Sequence, residues 1–251
     1  MKFDSTNFLK DHILKILSFY NKNSFDKNVG FFNLFLYVVS VFDMRVNENG
    51  AWMTLEKVEG ESLDKEVELF ALTPDQGLDI LQDCIQGLKA IHEKGMLHRD
   101  IKPANIMIET DEDDPEKKSA KIIDFGLALD DFEYWHYKRQ EIMDYAMDKD
   151  GRVMADKQKQ LKKDAGLITE IDAAVGTLIY MPPEQFSQEA LSPRSDIYAL
   201  GVTMYEALTG EQPYNSNSIY SNDFQAIMKE KIAGKTDSIR EYNPDIPQEL
   251  S

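Results

Sequence analysis

The chain has 251 residues, 42% of them apolar, which is enough for one large core or two small lobes and too little for a substantial second domain. Its 45 acidic against 28 basic residues give a formal charge of −17 at pH 7, which argues against nucleic acid as a partner because no basic surplus is available to displace phosphate counterions. The single cysteine, Cys84, excludes an intramolecular disulfide and falls on a helical pattern where a small buried hydrophobe is expected. Asp4 and Asp11 interrupt the N-terminus and no secretory signal is read there. The fourteen nearly uncharged residues 29–42 fall short of the ~20 that span a bilayer. The expectation is therefore a cytoplasmic protein with no membrane partner.

In chain order, Leu9, Ile13, Ile16, Leu17 and Tyr20 recur at helical spacing over residues 8–20. An aromatic and β-branched run from Phe31 to Val46, the turn residues Asn47 to Gly50 and the run Ala51 to Val58 predict a strand, a hairpin and a second strand. Thr73, Pro74, Asp75 and Gln76 form a capping box with proline at the first helical position, and Leu78, Leu81, Ile85, Leu88 and Ile91 are expected to carry the buried stripe of the helix that follows. Ile106 to Ile108 and Ile122 to Ile123 predict two short strands around an acidic loop. That loop lacks the ligand periodicity of a calcium site. Residues 130–171 are polar and charged. Asp148 to Gly151 mimics part of an EF-hand, but the register puts Ala146 and Lys157 at ligand positions, so no structural metal is expected. Ser192, Pro193, Arg194, Ser195 and Asp196 open a helix whose apolar positions Ile197, Leu200, Val202, Met204, Tyr205 and Leu208 surround it almost fully, ending at Gly210. A last helix is expected over about 221–232, stopped by Gly234.

The densest chemistry lies in His98, Arg99, Asp100, Ile101, Lys102, Pro103, Ala104 and Asn105, followed nineteen positions after Asn105 by Asp124, Phe125 and Gly126. Two acids, an amide and a lysine at these offsets suit phosphoryl transfer to a hydroxyl: one acid accepts the proton, and the other acid with the amide holds magnesium against the phosphates. The pattern H-R-D-x-x-x-x-N followed by D-F-G resembles the Ser/Thr protein kinase catalytic domain. The resemblance implies an α+β two-lobed protein-kinase-like fold, with a small β-rich N-lobe and a mainly helical C-lobe. It places residues 1–58 in a reduced N-lobe and hinge and 59–251 in the C-lobe, with an activation-segment insertion at about 130–171.

It also implies roles. Asp100 would be the catalytic base, Lys102 would neutralise the transferred phosphate, and Asn105 and Asp124 would ligate Mg2+. Glu56 to Val58 would meet the adenine of ATP through backbone groups, with Leu55 in the gatekeeper place and Met107 as the floor. His98 and Phe125 would be packing members of the regulatory spine. Gly176 to Glu184 resembles the substrate-docking motif, with Thr177 expected to contact Asp100 and Lys102. Asp196 matches the acid that ties back to the catalytic loop. Arg99 suggests control by an activation-segment phosphate, for which Thr169 is the candidate acceptor. The implied function is ATP-dependent phosphorylation of Ser/Thr hydroxyls of a protein substrate.

Departures from the family pattern sit at the edges. No G-x-G-x-x-G precedes the hinge, and Lys2 is the one candidate for the strand lysine, with Asp11 nine residues on in the place of the usual glutamate. The chain also stops before the late arginine that would pair with Glu184. Both edges thus read as trimmed. The rival expectation is a pseudokinase or kinase fragment acting as a binding or scaffold module. A small-molecule kinase of related fold is disfavoured by the docking motif.

Overall fold

The structure, a computed structural model, describes residues 36–47, 50–69, 72–111, 113–114, 117–124, 179–186, 191–214, 224–234 and 236–248. The expected helix at 8–20, Lys2, Phe125, the 130–171 segment, Thr169 and Thr177 lie outside the described residues.

Strands β1 (Val41–Asn47) and β2 (Gly50–Leu55) form the antiparallel hairpin expected from the turn residues, closed by the pair Asn47↔Gly50. The first strand starts later than predicted. Leu36 and Tyr37 form a helical turn, and Val38 pairs with Ile122 across a parallel bridge in which Val39 donates its amide to the Ile122 carbonyl at 2.9 Å. The second strand ends at Leu55, so Glu56 to Val58 are irregular backbone.

Strand β3 (Glu61–Ser62) leads directly into α1 (Leu63–Leu69) and pairs with β4 (Ile106–Thr110), which forms a hairpin with β5 (Lys118–Ile122). Alternation sends Ile106, Ile108, Ala120 and Ile122 to the buried face, each no more than 2% exposed. Gly60 lets this sheet close: a Cβ there would stand 1.9 Å from the Ile108 carbonyl oxygen. Because that obstacle is main chain and cannot swing aside, Gly60→Ala is expected to lower stability by about 2 kcal/mol, read from urea denaturation. An unchanged midpoint would refute the close approach.

Helix α2 (Pro74–His92) starts as predicted, with Thr73 Oγ1 accepting the Gln76 amide at 3.3 Å and Gln76 Oε1 accepting the Thr73 amide at 3.2 Å. Its buried stripe agrees with the prediction at Leu88 and Ile91 and departs from it at Leu78 and Ile85. Leu78 and Ile85 are 38% and 43% exposed, and the core face is Gly77, Ile80, Cys84, Gly87, Leu88 and Ile91. Cys84 is buried as expected, and burial pushes its thiol up to about 12, so it is inert as a nucleophile.

A short helix α3 (Pro183–Phe186) precedes α4 (Pro193–Thr209), which is capped by Ser192 and ends at Gly210 in the left-handed region at φ 71°. The all-round apolar prediction for α4 needs correction: Ile197 is 50% exposed, while Ser195, Asp196 and Thr203 are buried. Helices α5 (Phe224–Ala233) and α6 (Ile239–Tyr242) follow, with Gly234 ending α5 at φ 61°. One core joins Leu63, Ile80, Leu88, Ile91, Ile101, Ile106, Ile122, Leu200 and Leu208. Each such side chain contributes about 1.5–3 kcal/mol by leaving water. The loop between α2 and β4 is thereby anchored at Ile101, which is 1% exposed.

Candidate active site

The loop from His98 to Asn105 is held from two sides, by Asp196 of α4 and by Ile123 after β5. Asp196, 1% exposed near the start of α4, accepts the Arg99 amide on Oδ1 at 2.7 Å and the His98 amide on Oδ2 at 2.9 Å. Its Oδ2 also lies 2.7 Å from His92 Nε2 at the end of α2, a contact the sequence did not suggest. The tie from Asp196 to the loop is thus present as expected. It holds Arg99 at φ 68°, one of two non-glycine residues in the left-handed region among the described residues. The other is Asp124, at φ 59°. A left-handed backbone costs free energy at a non-glycine residue, so the surrounding bonds must hold both positions.

His98 connects the two halves of the motif. It is fully buried, its Nε2 lies 3.0 Å from the Ile123 carbonyl, and the Asp100 amide donates to its Nδ1 at 3.3 Å. A carbonyl only accepts and an amide only donates, so the ring is the neutral tautomer protonated on Nε2. Burial holds its pKa below the ordinary 6.5, against the opposing pull of the Ile123 carbonyl and of Asp196, Asp100 and Asp124. The unfolded chain therefore binds a proton first as pH falls. Stability supplied by neutral His98 is complete above about 6.5 and declines below it until the folded ring protonates. The difference in unfolding free energy between wild type and His98→Gln is expected to shrink from pH 7 to pH 5. A constant difference would show that the ring is not neutral in the fold.

Within the loop, Lys102 Nζ stands 2.9 Å from Asp100 Oδ2, and Asn105 Nδ2 donates to the same Oδ2 at 2.9 Å and to the Asp100 main-chain oxygen at 2.8 Å. Asn105 is buried in the 3-10 turn Pro103–Asn105, and its carbonyl accepts the Ile123 amide at 2.9 Å. Asp100, Lys102 and Asn105 are thus brought together, and Ile123, the residue before Asp124, is tied to Asn105 by its amide and to His98 by its carbonyl. With its nitrogen spent on Asp100, Asn105 has Oδ1 as the atom that can ligate a cation. Asp124 is exposed. An amide oxygen and one carboxylate suit Mg2+, which keeps waters and phosphate oxygens for the rest of its octahedron.

Around the hinge, Glu56 has a side-chain role that the sequence did not suggest. Its Oε2 accepts the Ser40 amide at 3.0 Å, its own amide donates to the Ser40 carbonyl at 2.8 Å, and Lys121 Nζ bonds Oε1. Burial alone would push its carboxyl up, but the bonds from Lys121 and Ser40 outweigh it and hold it below the ordinary range. Lys121 lies directly opposite Met107 in the β4–β5 ladder, so both side chains occupy the sheet face that meets Glu56. Val58 follows in irregular, half-buried backbone.

Further along, the Glu184 carboxylate accepts the Ser195 hydroxyl at 2.7 Å. Tyr180 donates to Glu206 on α4. Arg99, Asp100, Tyr180, Met181, Gln185 and Asp196 line a small pocket between the loop and residues 180–185.

Comparison with known proteins gives the same assignment. The protein kinase domain family matches residues 32–140 and 149–251. The chain belongs to that family. Its α+β two-lobed fold class, expected from the motifs, holds, with the β1–β2 hairpin in the small lobe and the mainly helical remainder in the large one. Serine/threonine-protein kinase PknB of Mycobacterium tuberculosis is 30% identical over 200 residues, covering 78% of this chain and 26% of the relative. Probable serine/threonine-protein kinase PknB of Corynebacterium glutamicum is 29% identical over 77% of this chain and 25% of the relative, and serine/threonine-protein kinase PrkC of Bacillus subtilis is 26% identical over 85% and 26%. The kinase domain therefore spans about a quarter of the length of these curated relatives. Among the described residues no helix is long and apolar enough to cross a membrane.

Proposed function

We propose that this kinase domain transfers the γ-phosphoryl group of ATP to Ser/Thr hydroxyls of a protein substrate. The observation that carries the reading is the Asp100 carboxylate, held at once by Lys102 Nζ and Asn105 Nδ2, with Asn105 bonded through its carbonyl to Ile123, the residue before Asp124. Asp100 orients the acceptor hydroxyl and takes its proton. Lys102, 2.9 Å from Asp100, neutralises charge on the transferred phosphate. Asn105 and Asp124 hold Mg2+, which when bound neutralises charge on the phosphate oxygens. The adenine is bounded by the backbone of Glu56 and Val58 and by Met107, a reading supported by the shared sheet face of Met107 and Lys121.

Lys2 is proposed as the phosphate-side lysine, Thr177 as the docking residue that meets Asp100 and Lys102, and Thr169 as the residue whose phosphate pairs with Arg99. The proposed organisation is residues 1–58 as small lobe and hinge and 59–251 as large lobe. Residues 141–148, which the family match passes over, fall inside the proposed 130–171 insertion. The strongly acidic charge suits a basic protein substrate in the cytoplasm rather than nucleic acid or a membrane surface.

The test is incubation of the full chain with γ-labelled ATP, magnesium and myelin basic protein. Label on serine or threonine of the acceptor is expected, and no label under conditions where ATP and magnesium raise the melting temperature would overturn the enzyme reading in favour of a nucleotide-binding module.

A further inference from the structure

Helix α5 carries a lysine that lies inside the protein. Lys231 is 3% exposed, whereas the next residue, Ile232, is 70% exposed. The Lys231 Nζ donates to the main-chain oxygen of Ile179 and, at 2.8 Å, to that of Met181. It also stands 5.0 Å from the centre of the Tyr214 ring and 5.5 Å from that of Tyr198, within reach of both π faces. The two phenol hydroxyls bond each other, so the walls of this cage are joined.

A buried ammonium is expensive, and burial pushes the Lys231 pKa down to about 7. A methionine would fill similar space without that cost, so the cation is explained by what it holds. The two carbonyls flank Tyr180, whose hydroxyl donates to Glu206 on α4. Tyr180 and Met181 in turn line the pocket that opens beside Arg99 and Asp100. Three successive residues before Pro183 are therefore fastened, Tyr180 by its side chain to α4 and Ile179 and Met181 by their main-chain oxygens to α5.

We propose that Lys231 is a positioning residue for the protein substrate: by clamping the carbonyls of Ile179 and Met181 it fixes the docking segment in one register relative to Asp100. This rests on the phosphotransferase reading above, and it adds α5 to the substrate-binding apparatus. It assigns Lys231 no contact with ATP.

Two measurements on the full chain test it, using Lys231→Met and the cation-preserving Lys231→Arg. In native-state amide exchange, residues 179–186 are expected to exchange about tenfold faster in Lys231→Met than in wild type, with α2 unchanged and Lys231→Arg intermediate. Equal exchange would overturn the clamp. In steady-state kinetics with myelin basic protein, the KM for the protein is expected to rise about tenfold while the KM for ATP stays within about twofold, and Lys231→Arg recovers part of the loss. A parallel rise in both constants, or none, would overturn the positioning role. If Lys231→Met does not fold, Lys231→Gln, which keeps one donating amide, is judged by the same criteria. Changed exchange with no transfer by the wild type would sink the kinase reading and leave the clamp, whereas unchanged exchange with transfer intact would sink the clamp alone.

Discussion

Asp100→Asn is expected to lower the turnover of phosphoryl transfer to myelin basic protein by about 10²–10⁴-fold, the range by which a positioned proton acceptor contributes. The substitution is nearly isosteric. Its amide oxygen can still accept from Lys102 Nζ and Asn105 Nδ2, the two groups that hold the carboxylate 2.9 Å away in the wild type. Stability is therefore expected to change by less than about 1 kcal/mol, and the melting-temperature rise with ATP and magnesium should survive. The missing element is the basic oxygen, since an amide does not take the proton of the acceptor hydroxyl. Turnover within tenfold of wild type would show that Asp100 is not the base.

The second large effect is structural. Asp196→Ala is expected to cost about 3–5 kcal/mol, as measured by urea denaturation, because it strips the acceptor from two buried main-chain amides and from His92. It also removes what holds Arg99 at φ 68°. Asp196→Asn keeps one carbonyl oxygen and should fall between, folding well enough to bind ATP while transferring phosphate slowly. A cost below about 1 kcal/mol for the alanine variant would mean that the loop is supported elsewhere.

Much of the site was legible because its chemistry is encoded in short offsets. The spacing from Asp100 to Lys102 and Asn105 is local, and those three side chains do meet. The capping box at Thr73 and Gln76 is equally local, and it formed as expected. Errors arose where a distant partner decides. Apolar spacing treats glycine as a gap and so places Leu78 and Ile85 on the buried stripe of α2. In the fold Gly77 and Gly87 lie on the buried face, since there the backbone must admit Leu208 on one turn and Ile122 with Tyr37 on another. The apolar run reads Val38 and Val39 as part of one long strand, since nothing in it signals pairing with Ile122, more than eighty residues away. Apolar spacing places Ile197 in the core, yet it is half exposed, while its polar neighbour Asp196 is buried by its bonds to the His98–Asn105 loop. Lys231 carried no signal at all, since its partners are main-chain oxygens and ring faces about fifty or fewer positions away in sequence but of no recognisable motif.

The bonds from Asp196 to His98 and Arg99 span 98 and 97 positions. A contact that closes so long a loop forms only after the intervening chain has collapsed, unlike a helix, which closes its bonds locally. During synthesis the segment His98–Asn105 leaves the ribosome nearly a hundred residues ahead of the carboxylate that holds it. Alone, it has no means of keeping Arg99 in the left-handed region. The His98–Asn105 loop is thus completed by α4: a nascent chain that already contains every residue of the loop has no assembled site until Asp196 has emerged and packed.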